Sequence, residues 1–90
     1  MLTTDDVFDG LEVRQEHIPQ IKLILERENL RFEWQYFTEY QSDHEGIRYH
    51  FGDGYVDWLI PNQIDNQHLY VSGELMQAQV LEWLNVRFIG

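Results

Sequence analysis

Between Arg31 and Ile60 the chain alternates apolar and polar residues with a period of two, the pattern of strands with one buried face. Phe32, Trp34, Tyr36, Thr38 and Tyr40 fall on one parity. Arg31, Glu33, Gln35, Glu39 and Gln41 fall on the other, with Phe37 the exception. Successive side chains of a strand point to opposite faces, so this pattern predicts a half-buried strand over Arg31–Gln41. Its aromatic content suits a pleated surface.

Asp53-Gly54 then predicts a hairpin, because a type I′ turn needs φ > 0 at both central residues. With those two residues as the loop, Phe51 faces Val56, Tyr49 faces Trp58 and Ile47 faces Ile60. All three pairs are apolar, and a slip of one residue would break every one. Upstream, Asp43-His44-Glu45-Gly46 reads as a four-residue loop that sets Tyr40 opposite Tyr49 and Thr38 opposite Phe51. One apolar face then runs across three strands. Tyr49, Phe51, Val56 and Trp58 are hidden together, and Asp57 is turned to solvent.

The flanking segments read as cover for that face. Thr3-Thr4-Asp5-Asp6 resembles a helix start, with threonine as a cap and aspartates at the positive end of the dipole. Gly10 reads as the end of that short helix, and Leu11–Gln15 is ambiguous, with Leu11 and Val13 alternating with polar residues as in a short strand. Pro19 fits the first turn of a helix over Glu16–Glu28, with Ile18, Ile21, Ile24 and Leu25 on one side and Asn29 as a left-handed terminator. Pro61 marks the end of the third strand and opens a turn-rich connection to Asn66. Gln67–Ser72 reads as a fourth strand and Glu74–Asn85 as a last helix. Val86–Ile89 alternates, as an edge strand or docked tail would. The expected class is α+β. An antiparallel meander sheet of three to four strands is flanked by an N-terminal and a C-terminal helix, packed mainly on one face, in one domain over residues 1–90.

Charge limits the function classes. The formal net charge is −10 with a single lysine, so nucleic acid and anionic membranes are disfavoured and basic protein surfaces are favoured. No cysteine is present, which excludes disulfides, thiol nucleophiles and zinc–thiolate sites and suits a cytoplasmic setting. No apolar run is long enough to span a membrane, and the acidic N-terminus does not read as a signal peptide.

Four constellations are candidates for a site. In the expected register Glu39, His50 and Asp57 form a row, where a histidine between carboxylates could move protons. Cross-strand charge pairing on a solvent face explains the same row without chemistry. Asp43, His44, Glu45, Asp53 and Asp57 offer oxygen and imidazole donors, but their spacing matches no metal loop and a solvated hairpin tip accounts for them. Phe37, Tyr55, Leu59 and Tyr70 break the polar parity of their strands; either the same chain covers them or a partner does. The acids concentrate toward the N-terminus, from Asp5 and Asp6 through Asp9 and Glu12 to Glu16, and continue through the sheet.

The reading these features support is a non-enzymatic acidic binding protein. It would dock on a basic site of a partner, such as a nucleic-acid-binding site, and block it, as small inhibitors, immunity proteins and nucleic-acid mimics do. The expected contact residues are Phe37, Glu39, Asp43, Glu45, Asp53, Tyr55, Asp57, Leu59 and Tyr70, with no cofactor or metal. The alternatives are a subunit that builds a homo-oligomer or larger particle, and a small enzyme using His50.

Overall fold

The computed structural model describes residues 2–40, 44–60 and 67–89. In chain order the elements are α1 (Thr4–Val7), β1 (Phe8–Asp9), β2 (Glu12–Val13), a 3-10 turn (Gln15–His17), α2 (Ile18–Arg27), β3 (Phe32–Phe37), β4 (His44–Phe51), β5 (Gly54–Ile60), β6 (His68–Ser72) and α3 (Glu74–Ile89). The strands form one antiparallel sheet in the order β1-β2-β6-β5-β4-β3. Six strands replace the three to four expected. Of the additional pair, β2 lies within Leu11–Gln15, where alternation left a short strand open, whereas β1 has only two residues and shows no period; β2 joins β6 through Glu12 and Tyr70.

Local signals set the helix ends. The Thr3 amide and hydroxyl both donate to the Asp6 carboxylate at 3.0 Å, and these bonds hold Asp6 below the usual carboxylate range. Pro19 sits in the first turn of α2, and Asn29 takes φ 55° just past its end. Asn85 does not stop α3, and Val86–Ile89 continue as helix rather than as an edge strand. The Asn85 side chain instead accepts from the Leu2 amide at 2.6 Å, so it ties the N-terminal segment to the last helix rather than capping it.

The hairpin between β4 and β5 turns at Gly52-Asp53, not Asp53-Gly54. Phe51 pairs with Gly54, Tyr49 with Val56 and Ile47 with Trp58. Gly52 has φ 54° and Asp53 is not left-handed, as in a turn whose first central residue alone is glycine. A shift of two residues preserves parity, so each side chain keeps the expected face while its partner changes. Gly54 is needed elsewhere: a Cβ there would meet Ser72 O at 2.6 Å and Met76 Cβ at 2.7 Å, where β6 and α3 close on the hairpin.

Tyr49, Val56 and Val71 lie side by side across β4, β5 and β6, as do Ile47, Trp58 and Leu69. With Ile18, Ile21, Ile24 and Leu25 of α2 and Met76, Val80 and Leu84 of α3, all of these but Trp58 form the core, joined by Val7, Phe8 and Val13. Burying an aliphatic side chain of this kind contributes about 1.5–3 kcal/mol. Phe51 and Trp58 are half-buried against it, Phe51 edge-on to Trp83. No residue of β3 enters this cluster.

Candidate functional site

Phe37 ends β3, and the chain then folds back over the sheet face opposite the core. The expected strand to Gln41 therefore stops four residues early; Gln41 itself lies outside the described residues. Tyr40 stacks on Tyr70 of β6 at 4.3 Å between centroids and meets Phe37 edge-on at 5.9 Å. Beneath it Asp57 is fully buried. Its carboxylate accepts from Arg48 Nε at 2.7 Å, Arg48 Nη2 at 2.8 Å and the Tyr40 hydroxyl at 2.6 Å. Glu39 reaches the same guanidinium at 3.5 Å, and the Tyr55 ring lies 3.9 Å below it.

This arrangement overturns the solvent-facing row of Glu39, His50 and Asp57. Asp57 points away from the core but into a second buried layer. His50 pairs with Glu33 at 3.3 Å, on the side of β4 toward β3. Register is the physical reason: β3 pairs Phe32 with Tyr49, not Tyr40 with Tyr49, so Glu39 leaves the ladder. Chemically the cluster is closed. Its hydrogen bonds to Asp57 raise the Arg48 pKa, and burial followed by Asp57 raises that of Tyr40, so both keep their protons at neutral pH. A bidentate ion pair with a third donor fits a structural role.

The other expected contact residues divide by exposure. Phe37 and Leu59 are buried and Tyr55 and Tyr70 half-buried, so the outer apolar set is covered by the chain itself. Glu39, Glu45 and Asp53 are exposed, and Asp43 lies outside the described residues. Among the described residues no three His, Asp or Glu side chains gather as metal ligands. No helix among them is long and apolar enough to cross a membrane.

Among the described residues the exposed aromatic rings lie instead on β3. Phe32, Trp34 and Tyr36 are 55%, 65% and 62% exposed. They stand on the core side of the sheet, beside Tyr49, Ile47 and Glu45, yet beyond the helices. Two helices side by side cover roughly 20–24 Å, whereas six strands need about 29 Å, so an edge stays bare. An open groove of about 390 Å³ separates this strip from the end of α2, lined by Leu25, Glu26, Leu30, Phe32, Trp34 and Tyr49 among others. Glu33 faces the opposite side of the strand. It accepts from Gln35 at 2.6 Å, a bond that with His50 keeps its carboxyl below the usual range. Strand parity had located the three rings on the core side. The missing signal was the sheet's width, hidden in the two-residue strands.

At the far edge, β1, β2 and the 3-10 turn present Asp9, Glu12, Arg14 and Glu16 around a shallow cleft, where His68 meets Glu12 at 2.5 Å. The single lysine, Lys22, lies over the Trp58 ring, and burial pushes its pKa down to about 8 against the opposing pull of Glu26. No protein-family model, curated protein or solved structure matches this chain.

Proposed function

We propose that this is a non-enzymatic acidic protein that docks on a basic surface of a partner protein and occludes it. The observation that carries the reading is the β3 strip. Three large rings stand open to solvent with the carboxylates of Glu26 and Glu45 beside them, in a chain of net charge −10. Exposed aromatic side chains supply contact area and residence, while carboxylates accelerate encounter with a cationic partner and select for it. Aromatic faces beside acids suit arginine in particular, which stacks and pairs at once. The chain does this internally, where Arg48 lies between Tyr55 and Asp57. The cytoplasm is the setting this reading takes, since a chain without cysteine suits a reducing compartment.

Affinity capture from the native host at low ionic strength tests it. A basic protein should be retained, released by salt, and lost with Trp34→Ala. Retention of nothing basic, or retention indifferent to Trp34, overturns the reading. A second reading, a subunit of a homo-oligomer, is favoured by one observation: β3 is the last strand of the sheet, with no described strand beyond it. Sedimentation at two concentrations separates the two.

A further inference from the structure

We propose that the partner engages β3 by adding a strand to its edge, through an extended segment with basic residues at alternate positions. This rests on the binding reading above and names the form its partner takes. The His50 amide donates to Arg31 O at 2.8 Å, and Arg31 and His50 continue the β3–β4 register. In an antiparallel ladder, residues that exchange hydrogen bonds alternate with residues that do not. Arg31, Glu33 and Gln35 therefore bond to β4. Phe32 and Trp34 direct their N–H and C=O groups to the opposite side, where no described strand lies. The exposed rings and the outward-facing backbone thus belong to the same residues. An added strand would gain main-chain bonds and ring contacts from one set of positions, the arrangement of strand-addition recognition.

Charge selects the occupant. On the aromatic side, the added strand's alternate side chains lie over Phe32 and Trp34, with Glu45 and Glu26 nearby; on the other side they meet Glu33 and Gln35. Arginine fits the first row, because its planar cation stacks on rings and pairs with carboxylates. A second copy of this chain would also present a free edge, and Trp34 could face its own counterpart across a two-fold axis. That pairing brings two chains of charge −10 together, whereas a basic segment is attracted to the same place.

The test uses the full chain, labelled with 15N, and a synthetic peptide of alternating arginine and threonine. Two further versions carry backbone N-methyl groups, one at every arginine and one at every threonine. On binding, the Phe32 and Trp34 amides should become protected from hydrogen exchange, while Glu33 and Gln35, already bonded to β4, should change little. Methylation should weaken binding about tenfold or more in one version and hardly in the other, because only alternate amides face the edge. Equal affinity of the two methylated versions overturns strand addition. So do shifts gathered on Asp5 to Glu16 instead of β3, or no binding at all. A dimer of the protein alone that strengthens with salt overturns it in favour of self-pairing. In each of these cases a basic partner captured through Trp34 would still leave the broader reading standing.

Discussion

The sheet face that carries Tyr49, Val56 and Val71 is closed by aliphatic side chains of α2 and α3. The face that carries Arg48 and Asp57 is closed by Glu39 and Tyr40, through hydrogen bonds and rings. The first rests on apolar area and strand parity, with Met76 and Ser72 crowding Gly54 to set the register. The second needs each donor to meet its acceptor, because a buried carboxylate that loses its partners retains the full cost of leaving water. The aliphatic layer ends short of β3 and the polar layer reaches it only at Phe37, so the rings of Phe32, Trp34 and Tyr36 are left exposed.

This contrast predicts unequal responses to single substitutions. The largest is Asp57→Ala, which leaves the largely buried Arg48 guanidinium with Glu39 as its remaining carboxylate among the described residues. Removing one partner of such a pair costs about 3–5 kcal/mol. Urea unfolding should show that loss, and Arg48→Met with Asp57→Leu together should recover most of it, since an apolar replacement leaves no charge uncompensated. Equal losses from the single and double variants would mean that the cluster contributes through packing alone. On the other face Leu69→Ala should cost about 2–5 kcal/mol by opening a cavity among fully buried neighbours. No double substitution that keeps polarity should rescue it, and a loss below about 1 kcal/mol would break the distinction between the two layers.

How much of this was written in the chain differs between the layers. Pro19, Asn29 and the stripe Ile18, Ile21, Ile24 and Leu25 act within one helix, so spacing alone revealed them. Face assignment of Tyr49, Phe51 and Val56 was equally local. The hairpin register was not, because Gly52 and Gly54 both suit a turn. The choice between them rests on Met76 and Ser72, which crowd Gly54 from distant parts of the chain. Phe37 and Leu59 marked the second face by breaking parity, which left open whether the chain or a partner covers it; the chain does. That Tyr40 would help cover it depended on where β3 stops. The open surface on β3 is not legible for a related reason: burial of Phe32, Trp34 and Tyr36 depends on how far the helices reach, and no window of sequence records that.

A smaller effect sharpens the account of the polar layer. Tyr40→Phe removes the hydroxyl that donates to Asp57 and should cost about 1.5–3 kcal/mol, the range for hydrogen bonds to charged groups. It should also change the alkaline limb of the stability profile. Tyr40 has a folded pKa above its unfolded value near 10, through burial and then Asp57. Its contribution is therefore complete below pH 10 and declines as pH rises further, because the unfolded chain releases the proton first. Tyr49 and Tyr70, also raised by burial, share that decline. Denaturation midpoints from pH 8 to 11 should fall less steeply for Tyr40→Phe than for the parent. Identical slopes would show that the hydroxyl does not face a carboxylate.

The smallest expected change is at the edge. Trp34 is 65% exposed and lies outside the core cluster. Trp34→Ala should alter stability by no more than about 0.5 kcal/mol, as for surface positions free of special contacts. A large aromatic side chain whose removal leaves the fold intact has no structural reason to stand in water, and this is what separates the β3 strip from both buried layers. Chemical denaturation of the variant decides it. A loss near that of Leu69→Ala would mean that the chain covers Trp34 in solution. The open rings, and with them the docking surface, would then not exist.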